Sequence, residues 1–185
     1  MSVGTGTALT FDETAERVGG YVWLERALYE LLGAWVPSVP EHDVKLRFGA
    51  QSQRHAWHGD LWFERLPVLR DVDRDALVRP ATPALGALVT DLAGIGDTLE
   101  RLVATYRVLL PALVASYSEH LDRVSPLADA TVERVLQLVV GDALDDWRGG
   151  ERALRSLVVT PALVRAATGH QERFEVALLG DRPAG

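Results

Sequence analysis

The sequence predicts an all-α protein, and three observations carry that prediction. Apolar residues recur at the helical period in every long segment, and helix-start and helix-stop residues bound those segments. The alternation that marks strands is absent. A length of 185 residues suits one domain with a substantial core, expected over residues 10–178 between flexible ends at 1–9 and 179–185.

Thr10-Phe-Asp-Glu13 has the form of a capping box, in which the Thr and Glu side chains reciprocally satisfy free amide donors. It opens a first helix that ends near Trp35, ahead of Pro37 and Pro40. Ser38-Val-Pro-Glu41 repeats the capping logic and opens a second helix to about Leu66, stopped by Pro67. Residues 67–96 form a long connection holding Thr82-Pro83, a cap followed by a proline suited to a first turn, and hence a short helix to about Ala93. Asp97-Thr-Leu-Glu100 starts a third long helix to about Arg123, with a kink expected at Pro111. Asp129 caps a fourth, from Thr131 to about Arg148, which Gly149-Gly150 ends; amphipathic pieces at 151–158 and 161–178 follow. Four long helices with one long link in the middle predict an antiparallel four-helix bundle, with a crossover helix and additional C-terminal helices.

Composition excludes several functions. Net charge is −7, Lys45 is the only lysine, and the arginines alternate with Asp and Glu, so no basic stripe follows a phosphate backbone and nucleic-acid binding is not expected. The absence of cysteine removes disulfides, thiolate metal sites and a cysteine nucleophile. Residues 1–7 lack the charged start and apolar run of a signal peptide, and the run from Leu109 to Ala115 is too short and Pro-interrupted to span a membrane. The expectation is a soluble, cytoplasmic protein. No nucleophile elbow, Walker loop, dinucleotide fingerprint or His-Glu-x-x-His is present.

The informative residues are polar side chains on apolar stripes. Helix one reads Val18, Tyr21, Val22, Glu25, Leu28, Tyr29, Leu32, with Glu25 its only charge. Helix two reads Val44, Phe48, Gln51, His55, His58, Trp62, which puts two imidazoles where packing would ask for Leu. Helix three gives Leu99, Val103, Tyr106, Leu110, Leu113, Tyr117 and His120, so its inward polar groups are phenols; Glu100 beside them reads as the cap partner of Asp97. His120, near the C-terminal end of that helix, is explained as a cation favoured by the dipole. Helix four buries Val132, Val135, Leu136, Val139, Val140, Ala143 and Trp147, bordered by Asp142 and Asp146. His42 and His170 read as surface residues.

This pattern resembles the ferritin-like superfamily. Members with a di-metal centre supply an inward Glu from helices one and three and a Glu-x-x-His from helices two and four. Glu25 matches the helix-one position. On helix two, Gln51 and Ser52 stand where a carboxylate is expected, while His55 and His58 supply imidazoles. Helix three offers Tyr106, and helix four offers Asp142, Asp145 and Asp146 with no His. The resemblance covers roughly residues 10–150 and implies the fold and a polar site inside it.

Three functions follow from the residues. One is a metal-dependent enzyme acting on a small molecule, with Fe, Mn or Zn held by Glu25, His55, His58 and Asp142 or Asp146; it would activate O2 or water, and Tyr106 would tune it by hydrogen bonding. The second is a metal-free enzyme using Glu25 and a histidine as an acid–base pair beside Trp62. The third is an interaction module with a degenerate site, binding a protein or a second copy through the C-terminal face of Leu163, Ala167, Phe174 and Leu178. In the bland case one histidine packs and the other bonds a carbonyl.

Overall fold

Thr10 and Glu13 close the capping box: the Thr10 hydroxyl accepts from the Glu13 amide at 3.3 Å, and the Glu13 carboxylate accepts from the Thr10 amide at 2.8 Å. The helix they open, α1, spans Phe11–Trp35 in the computed structural model, which describes residues 9–70 and 72–180. The expected flexible ends, 1–9 and 179–185, fall almost wholly outside the described residues. A 3-10 turn at Val36–Ser38 leads to α2, His42–Phe63. The second capping box does not form, because the Ser38 hydroxyl donates to the Trp35 carbonyl and accepts from Arg101, and Glu41 makes no side-chain cap. Within the long connection lie α3, Arg74–Leu77, and α4, Pro83–Ala93, the latter capped by Thr82 as expected.

The third long helix is α5, Thr98–Val103, then a π segment, Ala104–Leu109, then α6, Leu110–Arg123. Where a kink was expected at Pro111, the chain instead widens by one residue: the Leu110 amide bonds the Thr105 carbonyl. Proline carries no N–H to continue the ladder, and the widened turn precedes it. The fourth helix, α7, runs Ala130–Leu157 straight through Gly149-Gly150, so the doublet is no stop and the piece at 151–158 belongs to the same helix. These glycines are there for close approach. A Cβ on Gly150 would lie 2.0 Å from the Tyr106 ring, and one on Gly149 would lie 2.4 Å from the Arg47 guanidinium. Thr160 caps α8, Pro161–Leu179.

The described residues contain no strand, and no described helix is long and apolar enough to cross a membrane. The longest packing seam joins α1 to α2, α6 packs on α7, and α8 lies across α4, α5 and the π segment. Leu28, Leu32, Phe48, Leu102, Leu110, Leu136 and Val139 are buried to the last per cent, each side chain contributing about 1.5–3 kcal/mol. Two stripe residues turn outward instead: Tyr29 is 41 % exposed and Trp147 37 %. The C-terminal face expected to meet a partner is used internally, since Ala167 and Phe174 are buried against the rest of the chain. Glu100 also does more than cap: its amide bonds Asp97, while its carboxylate pairs with Arg173 and, at 3.5 Å, with His170, tying α5 to α8.

Candidate functional site

Glu25 and the two imidazoles meet because α1 and α2 pack along their length. The Ser52 hydroxyl, one turn before His55, donates to the Tyr29 carbonyl at 2.8 Å and fixes the register of the two helices. Glu25 is fully buried, and His55 and His58 are each 2 % exposed. One ligand atom from each of the three lies within 4.8 Å of those of the other two.

The partners assign the protons. The ionised Glu25 carboxylate only accepts, so His55 Nδ1, 2.5 Å from Oε2, carries a proton, and its buried Nε2 has no hydrogen-bond partner. His58 lies between two carboxylates, with Nδ1 3.4 Å from Glu25 Oε1 and Nε2 3.1 Å from Asp142 Oδ2. Tyr117 completes the shell: its hydroxyl donates to Glu25 Oε1 at 2.5 Å and accepts from Trp62 Nε1 at 3.0 Å.

Electrostatics follow from these contacts. Burial alone would raise the Glu25 pKa, but the charges and hydrogen bonds of His55 and His58 outweigh it and bring the pKa down to about 2. Burial opposes the charged form of His58, yet Glu25 and Asp142 together lift its pKa above the ordinary histidine value. The Tyr117 phenol is held well above its usual pKa by burial and by the Glu25 charge, so it stays a donor.

Four of the six residues singled out from sequence therefore come together: Glu25, His55, His58 and, on the far side of His58, Asp142. Tyr106 and Asp146 do not join them. Tyr106 donates to Gln51 Oε1 at 2.6 Å, Gln51 Nε2 donates to the Asp146 carbonyl at 3.4 Å, and the Asp146 carboxylate pairs with Arg54. This is a separate layer of the core, where the Tyr106 hydroxyl and the Asp146 carboxylate are already engaged. Tyr117 and Trp62 take the place expected of Tyr106; both sit on the apolar stripes, but their axial depth relative to Glu25 does not follow from periodicity. His120 also departs from expectation, being fully buried with neither ring nitrogen partnered.

The arrangement can hold a proton or a cation between one carboxylate and two imidazoles, with a second carboxylate orienting one ring from behind. Asp142, about one-third exposed, is its link to solvent. Comparison with known proteins finds no family model, no curated protein and no solved structure that matches this chain.

Proposed function

We propose that the chain is a divergent ferritin-like four-helix bundle that binds one divalent transition-metal ion, Fe, Mn or Zn, between Glu25, His55 and His58. The observation that carries this reading is the convergence of one carboxylate and two imidazoles, all buried, within 4.8 Å. Imidazole nitrogen and carboxylate oxygen suit these ions, and two histidines with one carboxylate leave coordination positions open.

The register of side-chain contacts supports the bundle. Gln51 meets Tyr106 and Trp62 meets Tyr117, so α2 and the third long helix run the same way. His58 meets Asp142 while Gln51 and Arg54 meet Asp146, so α2 and α7 run oppositely. Tyr21 meets Ser116 and Arg17 meets Glu119, which sets α1 against α6. Two hairpins joined by a connection that returns along the bundle's length have these directions.

The donor set fits one ion and does not fit two. Glu25 and Asp142 bring two negative charges, enough to balance one divalent cation. Asp146, the other inward acid of α7, is paired with Arg54. The protons on His55 Nδ1 and His58 Nδ1, both facing Glu25, are what an ion seated among the three would displace. Asp142 would retain the Nε2 proton of His58 and so fix its ring, while Tyr117 would hold the Glu25 carboxylate in place. A bound ion would supply Lewis acidity and, for Fe or Mn, redox chemistry toward O2 or water.

A second reading is favoured by the saturation of Glu25, whose two oxygens already accept from His55, Tyr117 and His58: a metal-free polar clasp that fixes helix register. Elemental analysis of protein purified without chelator, followed by anaerobic titration with Fe(II), Mn(II) and Zn(II), separates the two. One equivalent of metal, lost in His58→Ala and Glu25→Gln, is expected. Folded wild-type protein that takes up none of the three ions overturns the metal site and leaves the clasp.

A further inference from the structure

A second feature lies beside Tyr21, one turn before Glu25 on α1. Between α1, α4 and α6 a cleft of about 440 Å3 opens, within the size range of small-molecule sites. Leu24, Leu85, Leu109 and Leu113 make its walls apolar, and its polar groups are Arg17, Tyr21, Thr82, Ser116 and Glu119. Arg17 and the Tyr21 hydroxyl approach one another, and the Tyr21 hydroxyl donates to the Ser116 carbonyl at 3.1 Å. Leu109 is the last residue of the π segment, a local widening that recurs at functional sites.

Charge at the polar end favours an anion. The Arg17 guanidinium is only about one-quarter exposed and bonds the half-exposed Glu119 carboxylate through a single nitrogen, so donors remain for a ligand. His120, whose ring stands 5.7 Å from that of Tyr21, is held neutral first by burial and then by the charges of Arg17 and Arg123, which outweigh the opposing Glu119 carboxylate. A head group bearing a positive charge would meet the largely buried Arg17, while the Glu119 carboxylate is half-exposed and already bonded by both Arg17 and Arg123. One bearing a negative charge would share Arg17 with Glu119 or displace it.

We infer that this cleft binds a small amphipathic anion, a medium-chain aliphatic carboxylate in chemical class, with the chain against Leu24, Leu85, Leu109 and Leu113 and the carboxylate on Arg17. This site is independent of the metal reading and stands or falls apart from it. It is also not remote from Glu25. The Tyr21 ring lines the cleft and packs edge-on against Tyr117 at 4.7 Å, and the Tyr117 hydroxyl bonds Glu25.

The test is isothermal titration of the full-length protein with octanoate, octanol and octylamine, with saturation-transfer NMR to detect weak contacts. Octanoate is expected to bind one site, with octanol and octylamine weaker by about tenfold, the loss of one charge-assisted contact. Arg17→Gln should weaken octanoate by a similar factor and leave octanol unchanged. Ala112→Trp, which fills the cleft from α6, should abolish binding. Ala81→Trp fills it from an exposed loop and stands in if the first variant does not fold. A flat octanoate titration overturns the proposal, as does binding that survives both filled variants or ignores the head group. A dimer that Ala112→Trp converts to monomer would assign the cleft to a second copy of the chain and overturn it equally.

Discussion

His120 shows how surroundings override a residue's place in its helix. Three positions before the end of α6, it stands where the dipole favours a cation, yet it is fully buried with both ring nitrogens unpartnered. Burial, reinforced by the charges of Arg17 and Arg123, depresses its pKa to about 4. In the unfolded chain the pKa returns to about 6.5, so between pH 6.5 and 4 the unfolded state takes up a proton that the folded state refuses. Stability therefore falls with pH across that window, by up to about 3 kcal/mol from this residue, and is unaffected by it above 6.5. His120→Leu removes a polar group that has no partner, and it should raise stability at pH 7 by about 1–3 kcal/mol and flatten the acid slope. Urea unfolding of both proteins from pH 8 to 4 measures this; a variant less stable at pH 7 would contradict it. Glu25, His55 and His58 were legible as interior groups because each breaks an apolar stripe. The neutrality of His120 was not, since it depends on what the fold stacks over the ring.

At the scale of elements, periodicity located every long helix, while punctuation alone misjudged three ends: the Ser38–Glu41 box does not form, Asp129 makes no side-chain cap, and Gly149-Gly150 is no stop. Thr10, Thr82, Asp97 and Thr160 cap as their residue types suggest. Gly149-Gly150 reads as a stop in sequence, but only a folded partner reveals the other use of glycine, which is to let another group touch the backbone. Gly150 lies under the Tyr106 ring. In an isolated helix Gly→Ala gains about 1 kcal/mol, so the sign of Gly150→Ala tells which role governs. The variant should lose about 1–3 kcal/mol through overpacking, and Tyr106→Leu in the same chain should recover most of it. A double-mutant cycle by chemical denaturation reads the coupling. Additive losses would mean that the ring and the glycine do not constrain each other. The π segment before Pro111 was legible only as a generic kink, because proline removes a hydrogen bond without dictating how the chain absorbs the loss.

Across the whole molecule, the polar site joins elements far apart in sequence. Glu25 lies on α1, His55, His58 and Trp62 on α2, Tyr117 on α6 and Asp142 on α7, so one hydrogen-bonded layer crosses all four long helices. The donors to the proposed metal, Glu25, His55 and His58, sit only on α1 and α2. Tyr117 and Asp142 are the links to the other pair, and which phenol would serve could not be read from sequence because axial register between distant helices leaves no local trace. This division makes a prediction that separates ligand from linker. Tyr117→Phe keeps every proposed ligand but withdraws the proton from Glu25 and the acceptor from Trp62. It should cost about 1.5–3 kcal/mol of metal-free stability, the range for a hydrogen bond to a charged group. Metal stoichiometry should stay at one, because Glu25, His55 and His58 remain. Mass action then restores part of the loss, about 2.7 kcal/mol at a hundredfold excess of free metal over Kd, so thermal midpoints of the variant should climb with added metal as those of the wild type do. Parallel unfolding curves with and without Zn(II) decide the matter. A Tyr117→Phe protein that is fully stable shows the cross-helix link to be idle, and one that folds but binds no metal, where the wild type binds it, shows that Glu25 cannot serve as a ligand without the phenol that holds it.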